Sequence, residues 1–227
     1  MLFDSFGRPV ESIRISITQR CNLKCFYCHK EGENTKNNKE MTPEEIQRIV
    51  EIASSFSIGK VKITGGEPLI RDDILEIVQK IKSIPEVKEL SMTTNGIFLS
   101  NYAEKLKKFG LDRVNVSLHT LSRKKYKQIT GVDAIEKVIS GIYTAVNAGL
   151  NPVKVNVVLL RSINEDEISD LIKFATENKL VLQIIEFESA KETITYKKYH
   201  LETKEIERFL EKNAEKVFIR QMHHRRK

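Results

Sequence analysis

Short runs rich in β-branched residues alternate with longer segments of helical periodicity along nearly all of the 227 residues. Each run has the length and composition of a β-strand, and each longer segment has the apolar spacing of an amphipathic helix. Repeated βα units form a parallel sheet with right-handed crossovers. The pattern therefore predicts an α/β fold, either an open doubly wound sheet or a closed or partial barrel. The predicted strands are 12–18, 60–64, 88–94, 113–118, 153–160 and 180–187.

Two helical segments begin with the residues that favour helix N-termini. Thr42 is a candidate N-cap, followed by Pro43 in the first turn and by two acidic residues. Asn164 is a candidate cap for the segment ISDLIKFATEN. Such residues satisfy or tolerate the free N–H groups of a first helical turn. Further helices are predicted near 73–82, 100–109, 122–130, 134–148 and 203–213.

The predicted strands carry apolar side chains on one face and polar side chains on the other, because successive residues of a strand point in opposite directions. In the first strand Ile13 and Ile15 alternate with Arg14 and Ser16. A parallel strand buried on both faces is a nearly continuous apolar run. We therefore expect one face to pack on helices and the other to line a polar interior that holds a charged ligand, unless that face meets solvent on a half-open sheet. The polar face carries Arg14, Lys62, Thr93, Ser117, Lys154 and Asn156.

Three cysteines, Cys21, Cys25 and Cys28, follow the first strand, and the sequence has no others. They fall in the first βα loop, at the end of the sheet where such folds carry their active sites. In a reducing compartment, clustered thiols serve a metal or redox chemistry more often than a disulfide framework. Three thiolates can ligate three irons of a [4Fe–4S] cluster and leave the fourth iron open for a reaction.

A zinc site is the competing interpretation of the same cysteines. Its fourth ligand would be His29 or the His223–His224 pair. A closed tetrahedral site of this kind is structural, whereas an open coordination position is typical of a reacting centre.

The net charge of +7 suggests an anionic partner, but Lys and Glu are mixed along the helices as on solvated surfaces, so nucleic acid is not expected. No apolar run is long enough to span a membrane, and the N-terminus has no signal-type stretch. We expect a cytoplasmic protein. No linker divides the chain, which predicts a single domain over 1–227 with its core at about 10–190.

The segment CNLKCFYC resembles the CX₃CXΦC signature of radical S-adenosylmethionine (radical SAM) enzymes, with Tyr27 as the aromatic residue. Gly65-Gly66-Glu67-Pro68 is similar to the GGEP motif that holds the amino group of SAM in that superfamily. The resemblance implies a [4Fe–4S] cluster on Cys21, Cys25 and Cys28 as catalytic metal ligands, with SAM on the open iron. In these enzymes an electron from the cluster cleaves SAM to methionine and a 5′-deoxyadenosyl radical. Glycines allow a close backbone approach, and Glu67 could balance an ammonium group.

Further segments, among them SMTTNG, RVNVSLHTL, YKQITG and IRQMHHR, resemble the GTP 3′,8-cyclase family of molybdenum cofactor biosynthesis over nearly the whole chain. That family abstracts the 3′ hydrogen of GTP and forms 3′,8-cyclo-7,8-dihydro-GTP. By the resemblance, four residues contact GTP: Arg14, Lys62, Thr93 and Lys154. The residues that contact SAM are Tyr27, Gly65, Gly66, Glu67 and Ser117. The three cations among the GTP residues, Arg14, Lys62 and Lys154, all lie on the predicted polar face. This agrees with the resemblance, because buried positive charges are costly unless an anion such as a triphosphate compensates them.

The chain departs from the family pattern in two ways. Family members bind a second [4Fe–4S] cluster through three C-terminal cysteines that this sequence lacks, and Glu188 stands where many have a methionine near SAM. We expect a truncated form of a longer protein, with 191–227 as the start of a C-terminal extension and a seventh strand at 216–222. In such a form SAM cleavage should persist, and GTP cyclisation should be weak or absent.

The resemblance also implies a reductant such as ferredoxin or flavodoxin, and a homodimer is a further expectation. The residues alone, without the resemblance, also allow two other functions. One is a radical SAM enzyme that acts on a peptide or another small molecule. The other is a non-catalytic, zinc-stabilised binding module, whose affinity for nucleic acid would fall steeply with salt.

Overall fold

The fold is built on one parallel sheet, seen in a computed structural model that describes residues 1–28, 39–189 and 193–217. The six strands pair in sequence order. Their bounds are β1 (Ser12–Ser16), β2 (Lys60–Thr64), β3 (Glu89–Thr94), β4 (Arg113–Ser117), β5 (Lys154–Leu159) and β6 (Val181–Glu186). Each lies within a predicted strand, which confirms that part of the sequence pattern.

Helices connect the strands, and each helix predicted near these positions is found. They are α1 (Pro43–Ser55), α2 (Ile74–Lys82), α3 (Leu99–Lys108), α4 (Arg123–Thr130), α5 (Ile135–Asn147), α6 (Ile168–Glu177), α7 (Ile194–Tyr199) and α8 (Lys204–Asn213). Short 3₁₀ turns occur at Pro68–Ile70 and Glu165–Glu167. The short helix α7 is absent from the sequence prediction.

The sequential strand order decides between the two predicted architectures. A doubly wound sheet needs a point where the strand order reverses, so that helices cover both faces. Here β1 to β6 follow one another without reversal, with β1 and β6 at the edges. This order, left open between β1 and β6, is that of a partial (β/α) barrel, so the predicted barrel class is confirmed and the doubly wound alternative is wrong.

The apolar face of the sheet packs against the helices and forms the main core. Ile15, Val61 and Val116 are almost completely buried there, together with helical residues such as Ile77 and Val138. The opposite face of each strand is left for the interior of the partial barrel. Burial of the apolar face thus fixes the register that points the polar side chains inward.

The helix-cap predictions had opposite outcomes. Thr42 accepts a hydrogen bond from the Glu45 N–H and the Glu45 carboxylate accepts one from the Thr42 N–H, a complete capping box before α1. The predicted capping role of Asn164 is wrong, because its side chain makes no cap hydrogen bond. Its amide instead donates to the carbonyls of His119 and Val158.

Several sequence predictions concern residues outside the described ranges. His29, His223 and His224 belong to this group, and so does nearly all of the predicted strand at 216–222. The domain bounds stay a prediction. Among the helices of the described ranges, every one is too short or too polar to cross a membrane.

Candidate active site

A cavity of about 500 Å³ lies inside the partial barrel, between the cysteine loop and the polar face of the sheet. Most residues that the sequence predicted for the site line this cavity. They are Arg14, Cys21, Cys25, Tyr27, Cys28, Lys62, Gly65, Gly66, Thr93 and Ser117. Two predicted residues, Glu67 and Lys154, do not belong to its wall.

The cysteine loop is held in place by the C-terminal end of α4. The last carbonyls of a helix have no partner within the helix. The N–H groups of Lys24 and Phe26 donate to the Thr130 and Ile129 carbonyls, at 2.9 and 3.2 Å. Gly131 then ends the helix in a left-handed conformation. The loop is thereby attached to the barrel at two points between its outer cysteines.

The three thiols differ in exposure. Cys21 and Cys28 are exposed, whereas Cys25 is half-buried. Burial raises the pKa of Cys25 to about 11, and the partial desolvation of the Cys21 thiol in the cavity wall raises its pKa as well. A bound metal must therefore displace protons from these thiols, which is usual for thiolate ligands.

The donor set of the loop fits a [4Fe–4S] cluster. Its sulfurs belong to one short loop and line one cavity. Among the described residues, no group of three or more metal-ligating side chains is close enough to surround a single ion. A [4Fe–4S] cluster binds each thiolate through a separate iron, so its ligands stand apart from one another.

Gly65 and Gly66 bring the loop after β2 against the cysteine loop. A Cβ atom on Gly66 would lie 2.2 Å from the Arg20 carbonyl oxygen, and one on Gly65 would lie 2.4 Å from that of Thr18. The Gly66 N–H donates to the Thr18 carbonyl at 2.7 Å. These positions require glycine because two backbones meet there, in addition to any approach by a ligand.

Glu67 is completely buried and connects two loops. Its carboxylate accepts hydrogen bonds from the Leu69 N–H, the Asn95 N–H and the Thr94 hydroxyl, at 3.0, 2.6 and 2.7 Å. Burial raises the pKa of Glu67, and these hydrogen bonds act in the opposite direction. A contact between Glu67 and SAM stays a prediction, while the structure gives its carboxylate a positioning role.

Asn95 connects Glu67 to the cysteine loop through hydrogen bonds. Its side-chain amide donates to the Asn22 amide oxygen at 2.7 Å and lies 4.0 Å from the Cys21 sulfur. The sequence prediction did not include Asn95 or Asn22 as site residues. The TTNG segment that contains Asn95 was the available signal.

Several positively charged side chains lie close to Lys62, which is part of the cavity wall. Burial lowers the pKa of Lys62, and the nearby charges of Arg14, Arg113 and Lys154 lower it further, while Glu89 acts in the opposite direction. Lys154 therefore acts electrostatically in this region although it does not line the cavity. A region in which cations depress the pKa of another cation has a positive potential and favours a polyanion.

Asn156 supplies an acceptor that is suited to a ligand. Its amide oxygen is buried in the cavity wall and has no hydrogen-bond partner among the described residues. Ser117 lies beside it in the register of β4 and β5. A buried acceptor without a partner is costly, and the hydroxyl or amino group of a bound nucleoside would satisfy it. The site thus fits SAM or a nucleotide.

Sequence reasoning missed other residues that line the cavity, among them His119, Gln183 and Glu186. The period of two in β4 places His119 on the same face as Ser117, so the alternation extended by two residues would have found it. Glu188, noted as a departure from the family pattern, also lines the cavity.

Comparison with known proteins identifies the family. Residues 15–175 match the model of the radical SAM superfamily. A probable GTP 3′,8-cyclase from Thermococcus kodakarensis is 51% identical over 230 residues, which cover 100% of this chain and 74% of that protein. A probable GTP 3′,8-cyclase from Methanocaldococcus jannaschii is 47% identical over 224 residues, covering 99% of this chain and 74% of that protein.

Solved structures agree in fold. Streptococcus suis SuiB bound to S-adenosylmethionine superposes with a TM-score of 0.75 at 22% identity, over 89% of this chain and 46% of that one. HydG, a maturase of the [FeFe]-hydrogenase, gives a TM-score of 0.68 at 17% identity, over 88% of this chain and 48% of that one. At these identities the similarity concerns the fold alone.

Proposed function

The chain belongs to the radical SAM superfamily and, within it, to the GTP 3′,8-cyclase family, and we propose from this that it uses SAM to convert GTP into 3′,8-cyclo-7,8-dihydro-GTP. The observation that carries the proposal is one cavity whose wall contains the three thiols together with the cations Arg14 and Lys62. A cluster with SAM would need the thiols, and a triphosphate beside it would need the cations.

Family membership implies a [4Fe–4S] cluster and SAM. When bound, they supply a 5′-deoxyadenosyl radical from the one-electron cleavage of SAM. Cys21, Cys25 and Cys28 would hold the cluster, and the loop of Gly65 and Gly66 would hold SAM beside it. An external reductant such as a ferredoxin or flavodoxin would approach the face where Cys21 and Cys28 are exposed.

The remaining predicted residues would bind the adenosine of SAM and the guanosine triphosphate of GTP. Ser117 and the orphan acceptor of Asn156 suit ribose or base groups. The ammonium of Lys62, with the charges of Arg14 and Lys154 around it, suits the triphosphate of GTP, and Thr93 adds a hydroxyl to the same wall. The family resemblance implies a second cluster, but this sequence has no further cysteines to bind one. The three cysteines of the chain all lie in the first loop.

The proposal is tested by ligand protection of the anaerobically reconstituted protein. Thermal unfolding is followed in the presence of SAM with GTP, ATP or inorganic triphosphate, and the mixtures are searched for the cyclised product by mass spectrometry. A ligand at one hundred times its Kd adds about 2.7 kcal/mol to the unfolding free energy. We expect GTP to protect more than ATP or triphosphate. Equal protection by all three would contradict selection of GTP.

Replacing Lys62 by methionine is expected to have opposite effects on binding and stability. The affinity for GTP should fall about 10- to 150-fold, because a charge-assisted hydrogen bond contributes roughly 1.5–3 kcal/mol. The ligand-free protein should become more stable, because a half-buried cation among other cations is removed. Isothermal titration and thermal unfolding measure the two effects.

Lys60→Met is the matched control for this prediction. Lys60 lies on the same strand, but its ammonium is exposed and pairs with Glu11 at 2.9 Å. Its replacement should leave GTP affinity unchanged. Equal losses of affinity in both variants would show that Lys62 has no specific role.

A further inference from the structure

Asn115 is a buried amide in the wall of the cavity. It lies on β4, is 4% exposed and lines the cavity. In the register of the sheet it pairs with Thr93 on β3 and with Lys154 on β5. The family resemblance implies GTP contacts for both neighbours and none for Asn115. The role of Asn115 depends on which of its polar atoms is left for a ligand.

Arg113, two residues earlier on the same strand, distinguishes the two ends of this amide. Its Nη1 atom donates to Oδ1 of Asn115 at 3.0 Å. A guanidinium carries donors and no acceptor, so it must face the oxygen of an amide and not the N–H₂ group. The hydrogen-bond partner therefore assigns the orientation of the amide.

Glu89 in turn holds Arg113. The Nε and Nη2 atoms of Arg113 donate to Oε1 of Glu89, at 3.0 and 2.5 Å. The Arg113 side chain is 16% exposed and does not belong to the cavity wall. One carboxylate thus compensates its charge, and its third nitrogen contacts Asn115. Arg113 therefore reaches the cavity wall through the amide that it orients.

The N–H₂ group of Asn115 is the polar group that remains for a ligand. The oxygen is already covered by Arg113. In the part of the chain that the structure describes, no acceptor is bonded to Nδ2. An N–H₂ group offers two donors and no acceptor. Asn115 is therefore suited to a ligand that brings acceptor atoms to this place in the cavity.

The neighbouring row of inward-facing residues carries positive charge. Arg14 pairs with Lys62 in the sheet register, and the row continues through Ser91 to Arg113. Arg14 and Lys62 line the cavity together with Asn115. Phosphate oxygens are acceptors, and hydrogen bonds to a charged phosphate are the strong ones. An amide donor beside two cations favours the triphosphate over the base or the ribose.

We propose that Asn115 is a further substrate-binding residue whose amide donates to a phosphate oxygen of GTP, and that Arg113 is a positioning residue that fixes the orientation of this amide. The inference rests on the proposed function, because it assigns a role within the same GTP site. It adds a neutral donor to a site whose other predicted phosphate contacts are mainly cations.

The test is isothermal titration of the reconstituted full chain with GTP, inorganic triphosphate and guanosine. Asn115→Asp keeps an oxygen for Arg113 and replaces the N–H₂ group by a second carboxylate oxygen. The affinities for GTP and triphosphate should fall at least about tenfold, as expected for a hydrogen bond to a charged group. The affinity for guanosine should stay the same. Asn101→Asp, an exposed position on α3, makes the same charge change and should bind like the wild type.

Asn115→Ser removes the amide without adding a charge. It should lose affinity for GTP and triphosphate in the same direction, and it carries the test if Asn115→Asp fails to fold in circular dichroism. Wild-type triphosphate affinity in the folded variants would overturn the inference, and so would an equal loss for guanosine. Wild-type protein that binds neither GTP nor triphosphate would instead count against the proposed function.

A double-mutant cycle tests the positioning role of Arg113. Arg113→Met with Glu89→Gln removes the ion pair at constant net charge and releases the amide. Triphosphate affinity should fall about twofold or more, because the fraction of amide in the binding orientation falls to half or less. The same pair of changes should have little effect in Asn115→Ser, which has no amide to orient. Equal losses in both backgrounds would overturn the positioning role.

Discussion

Replacing Cys25 by alanine is expected to lower the iron bound after reconstitution, and the 5′-deoxyadenosine formed from SAM, by at least about 10-fold. Losing only an outer partner of a metal ligand commonly costs 10–100-fold in metal affinity, so losing a ligand should cost at least as much. The fold should persist, because the backbone bond between the Cys28 N–H and the Cys25 carbonyl does not need the thiol. Iron analysis and chromatography of the nucleoside products measure the effect.

Lys24→Ala is the control for this variant. Lys24 lies next to Cys25 in the same loop, its side chain is exposed, and its backbone N–H donates to the Thr130 carbonyl in either variant. It should bind iron like the wild type. Cleavage of SAM by Cys25→Ala at the wild-type rate would refute the assignment, and so would an equal loss of iron in Lys24→Ala.

Replacing Glu67 by alanine is expected to lower the free energy of unfolding of the cluster-free protein by about 3–5 kcal/mol. The variant leaves the Leu69 N–H, the Asn95 N–H and the Thr94 hydroxyl without their acceptor in a completely buried region. Each buried donor that loses its partner costs roughly 1–3 kcal/mol. Denaturant unfolding followed by circular dichroism measures the change.

Two further variants define the role of Glu67. Glu67→Gln keeps one oxygen acceptor but places an N–H₂ group opposite one of the donors, so its loss should be intermediate. Glu76→Ala removes an exposed glutamate from α2, which pairs with Lys80 at 3.8 Å, and should change the free energy by less than about 0.5 kcal/mol. A Glu67→Ala protein within 1 kcal/mol of the wild type would contradict the account of Glu67 as the connection between the two loops.

Local patterns in the sequence predicted the features that depend on near neighbours. The alternation of polar and apolar residues placed Arg14, Lys62 and Ser117 on the interior face, because burial of the other face fixes the orientation of each strand. Thr42 was identified as a cap because its partner, Glu45, is three residues away. The motif spacing located the cysteine loop for the same reason.

Features that depend on distant partners could not be read in this way. Glu67 bonds to Asn95, which is 28 positions away, so its positioning role could not be read from the GGEP segment alone. The position of Asn164 before a helix predicts a cap, but tertiary contacts with His119 and Val158 use its amide instead. The same limit explains why the hydrogen bond between Tyr27 and His119, which are 92 positions apart, emerges only from the fold.

The most direct test of the central claim is iron and sulfide content after anaerobic reconstitution, followed by an assay for 5′-deoxyadenosine with dithionite and SAM. The claim is that the loop of Cys21, Cys25 and Cys28 binds a [4Fe–4S] cluster that reacts with SAM. We expect about four irons and four sulfides per chain, together with 5′-deoxyadenosine in amounts that depend on both reagents. Bound zinc without iron, and no cleavage of SAM, would contradict the account and favour a structural metal loop.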